Sequence, residues 1–428
     1  MEQLPHVVLV GLYEAEEHTL EPERFAYSVL LRAKSARRLA ARALPGIRAI
    51  GELDVAAGDD LDEYNRASPQ MIELVAALAT KLGPPHGIVG IHEHTTLPAA
   101  RLRERFGVPG TSVRTATLCR DKVVMKQAVA GAGIVTPRFW PVDAGTTAKD
   151  LADALGPLPG RKVLKPRSQA ASLGVRIFAD TTELLDEVRR NGCPDDHEVE
   201  EFVDGTVCHL DGVVRDGEII FLCGSSYVTS CFDFRFNTTP LASVTIDDPA
   251  TLDAALHFAA DVLDAVGLTS SVFHLEAFLL PDGSFVFLEI ANRFGGAGIQ
   301  DHIQLAYGVD LAREAVLACL GDPSEVTAGP VTMLERMPGR ASGWLYTPFE
   351  QTDRGIVVRV SGVDDLPRSV AAARYPQSGD VVGADPGVWE ASGRFVLVGS
   401  SAAGLEDDIA TITGRYRVHV LPEGGSTS

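Results

Sequence analysis

The sequence predicts an α/β protein in successive parts: a doubly wound α/β domain to about residue 115, a hairpin-rich α+β region to about residue 325, and a further α+β segment beyond. Two observations carry this. Near the N-terminus, short apolar runs alternate with amphipathic stretches, which implies a parallel sheet flanked by helices. From Arg161 onward, β-rich runs are joined by small-residue or Asp-Gly turns, the pattern of antiparallel hairpins.

The length of 428 residues suits roughly three domains of about 150 residues, each able to bury a core. A hydrophobic content of 45% with 22% charged residues is ordinary for globular proteins and argues against extensive disorder. The net charge of −20 repels nucleic acid and anionic membrane, so neither is expected as a partner. The six cysteines lack Cys-x-x-Cys spacing, which speaks against a zinc site or a disulfide framework and for buried thiols in a reducing compartment. The first apolar run is too short for a signal peptide and is followed by acidic residues, and no stretch reaches the length of a membrane span. A cytoplasmic protein is therefore expected.

In order, His6–Gly11 reads as a buried parallel strand, and a helical pattern runs from Pro22 to Arg42 with Phe25, Val29, Leu30 and Leu39 on one side. Ile47–Leu53 is a second strand, Pro69–Leu82 a second helix and Gly87–Ile91 a third strand. Ligands in such sheets sit at the strand ends, so Glu93, just past the third strand, is either a contact for a substrate amine or a helix-capping or solvated residue. His92 and His94 have no metal-like partners in sequence and carry no assignment. Asp121–Ala130 is a helix stopped by Gly131 and Gly133, with Lys122 and Lys126 one turn apart, by default a surface pair.

Arg161–Phe178 reads strand, loop, strand. Lys165 ends the first strand, and the Ser168–Gly174 loop is built of small residues that let backbone N–H groups approach phosphate oxygens. A helix at Thr181–Asn191 precedes a strand holding Glu200, Glu201, Phe202 and Val203, then a turn at Gly205 and a meander. Two β-rich runs then flank Pro281-Asp282-Gly283-Ser284, a two-residue hairpin turn by pattern. Counting outward places Glu276 opposite Glu289 on one sheet face.

Like charges so placed repel by ~4 kcal/mol at about 4 Å and an effective dielectric of about 20. A divalent cation between them relieves this, as does a solvated face. Arg293 follows, then Gly295-Gly296-Ala297-Gly298 leading into a helix; carboxylates, a guanidinium and a glycine-rich helix entry bind metal and oxyanions together. Farther on, a helix at Asp310–Leu320 precedes strands at Thr332–Met337, Ala341–Phe349, Gly355–Val363 and Gly393–Val398, a helix near Gly404–Thr413 and a mobile tail.

Four segments in this order, DKVVMKQAVAGAGIVTP, VLKPRSQAASLGV, VEEFVDG and HLEAFLLPDGSFVFLEIANRFGG, together resemble the ATP-grasp superfamily and, within it, carboxylate–amine ligases of the L-amino-acid ligase type. The resemblance covers about residues 90 to 320. It implies a Rossmann-like pre-ATP-grasp domain over residues 1–115, a linker helix and small lobe over 116–205, a large lobe over 206–325 and a C-terminal extension over 326–428 that walls the substrate site.

It also implies ATP and Mg²⁺, with Mn²⁺ as an alternative ion. Lys122 and Lys165 would contact ATP phosphates beneath a loop containing Ser172 and Gly174; Glu200, Glu201 and Val203 would hold the adenine. Glu276 and Glu289 would carry the metal, and Arg293 with Gly295 and Gly296 would face the substrate carboxylate and its acyl phosphate. The implied partners are small carboxylates and amines, amino acids first, and the resemblance is compatible with a homodimer. Alternatives are transfer of the activated acyl group to a carrier protein, and a catalytically silent ATP-binding regulator.

The chain departs from the pattern at two positions. Val207 stands where a ribose-binding glutamate is usual, with His209 on the same strand face as a substitute, and Ala291 stands where many members have a metal-contacting asparagine. Substrate choice falls to loops around Glu93, Tyr227–Phe236 and Ala297, with Arg235 either a carboxylate contact or, preferably, one half of a surface ion pair.

Overall fold

A computed structural model describes residues 3–55, 61–229, 231–232, 234, 239–326, 340–349, 354–383 and 391–423. The expected strand at Thr332–Met337, Arg235 and most of the tail lie outside these residues. The N-terminal part is a parallel sheet of β1 (His6–Val10), β2 (Ala26–Arg32), β3 (Ile47–Leu53) and β4 (Pro85–Val89) in the order β3-β2-β1-β4. Its helices include Ser68–Leu82 and Thr96–Phe106.

One expectation fails here. Ala26–Arg32 is a strand, and only Ala33–Arg42 of the expected helix is helical. The apolar run fits either period. What decides is that residues 26 to 31 are all buried, with β2 paired to β1 on one side and β3 on the other.

The Lys122–Gly131 helix links this part to a small antiparallel sheet of β5 (Phe139–Val142), β6 (Lys162–Pro166), β7 (Arg176–Phe178) and β8 (His197–Glu201), ordered β5-β8-β6-β7. Asp121 caps that helix, accepting from the Val123 and Val124 amides. Helices Ala148–Leu155 and Thr181–Asn191 pack on this sheet through Leu151, Leu155, Leu184 and Val188.

The largest sheet has eight strands. They are β9 (Thr206–Arg215), β10 (Glu218–Thr229), β11 (Leu241–Thr245), β12 (Ser271–Leu279), β13 (Phe285–Ala291), β14 (Ala341–Thr347), β16 (Val370–Arg374) and β18 (Gly393–Gly399), ordered β13-β12-β9-β10-β11-β14-β18-β16. A three-stranded sheet of β15 (Gly355–Ser361), β17 (Val381–Val382) and β19 (Arg417–Pro422) completes the fold. One face of the large sheet is covered by the Pro249–Val266 helix, whose Leu252, Ala255, Ala259 and Val262 join the main core. No described helix is long and apolar enough to cross a membrane.

The β12–β13 hairpin reaches the expected register by an unexpected route. Leu279 pairs with Phe285 and Ala277 with Phe287, and Leu280 N–H bonds Ser284 O at 2.9 Å, so Pro281, Asp282 and Gly283 form a three-residue loop. Pro281 suits the first central position of a type I turn, where φ is near −65°, and Gly283 follows at φ +85° as the left-handed residue. A bulge at Leu288 then restores the count and sets Glu276 opposite Glu289.

Candidate active site

The parallel sheet's carboxyl edge, the small sheet and one face of the large sheet enclose a cavity of about 950 Å³. Lys122, Lys165, Ser172, Glu200, Glu201, Val203, Glu276, Glu289, Arg293, Gly295, Gly296 and Glu93 all line it. The topology thus gathers residues far apart in the chain, as in the Glu93–Arg293 pair, 200 positions apart.

On the large sheet, successive outward positions of β12 and β9 form a block. Glu276 pairs with His209, and His274 with Asp211. Asp211 is fully buried and accepts from His209 Nδ1 at 2.6 Å and His274 Nδ1 at 2.9 Å. His274 Nε2 lies 3.5 Å from Glu276 Oε1, and the Tyr227 hydroxyl donates to the same oxygen at 3.1 Å. Glu276 Oε1 is therefore held by the protein.

His274 is thereby charged: burial alone would lower its pKa, but the Asp211 carboxylate raises it to about 9. The raised value means His274 stabilises the fold fully below its unfolded value of about 6.5, by roughly 3 kcal/mol, and that this is lost as pH rises through about 9. We expect the thermal midpoint to fall across that interval and His274→Asn to flatten the fall. An equally steep fall in the variant would show that another group is responsible.

His209 does not reach the cavity, contrary to expectation. It is fully buried, and its other nitrogen, Nε2, is 2.7 Å from Ser243 Oγ, so both ring nitrogens are engaged and neither is left for a ribose. Val207 lines the cavity in its stead. Gly174 also stands back from the cavity. Its φ is +74°, and a Cβ there would meet Pro166 Cγ at 2.7 Å, so glycine is required for the loop to fold against β6.

The loop is tied down at several points. The Lys122 amide donates to Arg167 O at 3.0 Å and its ammonium to Gln169 O at 2.6 Å, and the Arg167 guanidinium grips Asp121 at 2.5 and 3.0 Å. Ser168 Oγ bonds Asp62 of the N-terminal part. Lys122 also lies 3.0 Å from Glu289, which brings its ammonium next to the paired glutamates.

Behind Lys165 lies a buried quartet. Lys165 pairs with Glu200 at 2.9 Å, while Lys126 pairs with Glu198 at 2.6 Å and with Glu200. The expectation of a surface lysine pair is wrong for Lys126, which is fully buried because the helix lays this face on the small sheet beside β8. Burial would lower the Lys165 pKa, but Glu200 and Glu198 raise it; burial would raise Glu200, and Lys126 with Lys165 hold it at about 2. Glu201 differs, turning its carboxylate to Arg138 at 2.8 Å.

At the far end, Glu93 Oε1 accepts from Arg120 and Oε2 from Arg293, each at 2.6 Å. Burial would raise the Glu93 pKa, but the two arginines push it well below the carboxylate range. A substrate amine would have to share these oxygens, so the geometry supports Glu93 as the group that aims Arg293. Sequence does not single out Arg120, Asp211, His274 or Glu198, and it marks Lys126 only as half of a surface pair and Tyr227 only as the start of a substrate loop. His274 and Glu198 had a usable signal, since each lies two residues from a chosen glutamate on the same strand face.

No protein-family profile matches the chain. The chain is 25% identical over 287 residues to the L-arginine-specific L-amino acid ligase of Bacillus subtilis, a match covering 64% of this chain and 66% of that protein. It thus spans just under two thirds of that curated relative's length. Superposition on the crystal structure of an L-amino acid ligase from Bacillus licheniformis covers 99% of this chain and 100% of the other, with TM-score 0.73 at 16% identity. The biotin carboxylase domain of the Hydrogenobacter thermophilus 2-oxoglutarate carboxylase, solved with MgADP, ADP and bicarbonate, matches 98% of this chain and 92% of its own with TM-score 0.67 at 14% identity. The fold is that of the ATP-grasp enzymes, and the sequence is similar to amino-acid ligases.

Proposed function

We propose that the chain is an ATP-dependent ligase that joins a carboxylate to an amine, both from amino acids, through an acyl phosphate with release of ADP and phosphate. The observation that carries this is the meeting of Lys122, Lys165, the glutamate pair and Arg293 around one cavity. The sequence similarity to amino-acid ligases supports the substrate class.

Lys122 and Lys165 take ATP phosphates under the Ser172 loop, and Glu200, Glu201 and Val203 border the adenine. Opposed carboxylates on one face, with Oε1 of Glu276 already held by Tyr227 and His274, fit a magnesium-type ion with oxygen ligands. Glu276 and Glu289 would hold it, and when bound it supplies charge neutralisation on the phosphates. Arg293, fixed by Glu93, disperses charge on the carboxylate as it attacks the γ-phosphate. Gly295 and Gly296 offer backbone to the acyl group. Atoms balance simply: the carboxylate oxygen bonds phosphorus as ADP leaves, then the amine nitrogen bonds the carbonyl carbon as phosphate leaves with a proton lost from nitrogen.

The test is phosphate release from MgATP with amino acids supplied singly and in pairs, with the products weighed. ADP together with a mass equal to two amino acids less one water is expected. AMP, or release indifferent to amino acids, would refute the reading. Within it, Glu289→Gln should lower Mg²⁺-dependent turnover by about 10²-fold or more while metal-free nucleotide binding persists. Turnover at the wild-type level would remove Glu289 from the metal site.

A further inference from the structure

The carboxyl edge of the parallel sheet contributes a second set of cavity residues. Tyr13 follows β1, Arg32 ends β2, and His92, Glu93 and His94 follow β4. Ligands of open α/β sheets lie outside such ends where the strand order reverses, which here is between β1 and β4. Arg32 stands one strand away from that crevice.

Charge pairing around the cavity is uneven. Among the described residues, Lys122 is matched by Glu289, Lys165 by Glu200, Arg293 by Glu93, and Arg161 by Asp204 at 3.9 Å. Arg32 has no such match. No described carboxylate lies within ion-pair distance of its guanidinium, which sits 6.0 Å from the Tyr64 ring centre. Its nearest described neighbours are rings: Tyr64 and His94 meet edge to face at 4.7 Å, and Tyr13 and His94 at 6.3 Å. His94 is neutral, its pKa lowered to about 3 by burial and by the neighbouring His92 and Arg32. A cation with no anion partner among the described residues, beside aromatic rings, favours a carboxylate ligand.

The chemistry of the site says which carboxylate this is. In amide formation the donor's carboxylate is consumed, and Arg293 is committed to it. An amino-acid acceptor presents its amine and keeps its own carboxylate ionised. Arg32 ends β2 and Glu93 lies in the segment after β4, strands two spacings or about 10 Å apart, a separation that one amino acid and an arginine side chain cover together.

Resting on the ligase reading, we propose that Arg32 binds the free carboxylate of the amine-donating substrate, so that this substrate is an amino acid or another amine bearing an acid group. The test compares each of the common L-amino acids with its carboxamide on the full chain, wild type and Arg32→Gln. Calorimetric binding with Mg²⁺ and an unreactive ATP analogue is one readout, and steady-state kinetics is the other. The wild type should prefer the acid over its carboxamide by about 10-fold or more. Arg32→Gln should raise the acceptor KM to the carboxamide level with KM for ATP and the melting midpoint unchanged, and Arg32→Lys should restore part of the preference. Acid preference persisting in Arg32→Gln, or a wild type indifferent to the change, would overturn the proposal. Acid-selective binding lost in Arg32→Gln, with no amide made by the wild type, would uphold Arg32 as a carboxylate site and refute the ligase reading instead.

Discussion

Lys126→Met is expected to destabilise the small-sheet region by about 3–5 kcal/mol, the range for removing one partner from a buried ion pair. Lys126 and Glu198 are both fully buried, and burial already presses the Lys126 pKa down against the pull of Glu200 and Glu198. Without Lys126, two carboxylates would share only Lys165, which lies 2.9 Å from Glu200 and 3.8 Å from Glu198. Their mutual repulsion would then be uncompensated. Urea unfolding followed by a probe in the small sheet measures the loss, and Lys126→Met with Glu198→Gln should recover part of it because the excess charge is removed. A loss below about 1 kcal/mol would mean that the quartet contributes little.

Arg293→Ala should lower turnover by about 10²–10³-fold, the size typical for removing one preorganised stabiliser of developing negative charge. Nucleotide affinity should hold, because Arg293 contacts Glu93 and the Phe294 carbonyl and none of the groups of the Lys165 quartet. Arg293→Lys should recover little, since a point charge cannot reproduce a guanidinium that binds Glu93 and substrate at once. Single-turnover phosphate release separates the chemical step from binding. An unchanged rate there would remove Arg293 from the chemistry.

The elements that sequence revealed are those whose local chemistry has one solution. Asp121 before Lys122 marks a helix start, and Asp-Gly between β-rich runs marks a hairpin. Ala26–Arg32 defeated local reading because a continuous apolar run carries no period. Its strand identity comes from β1 and β3 on either side. Lys126 and Lys122 look alike along the helix, and only the placement of β8 makes one a cavity residue and the other an interior charge. His209 was read from its face alone; that face is shared by Asp211 and closed by Ser243 from β10's far neighbour β11, contacts made at long sequence range. Arg32 carries no site signal in sequence because the Pro22–Arg42 pattern fits a helix, which would not set it at a strand end.

The hairpin has the register that a two-residue turn predicts although its loop has three residues, and this bears on which changes of length it tolerates. The extra residue of the Pro281-Asp282-Gly283 loop and the extra residue at Leu288 offset one another. Shortening the loop by one residue would leave Leu280 facing Ser284, and removing Leu288 would bring Glu289 directly after Phe287, so either change alone keeps Glu276 opposite Glu289. Lineages related to this chain should therefore be free to gain or lose these two residues independently, so that turn length varies among them while the second glutamate stays at the cavity.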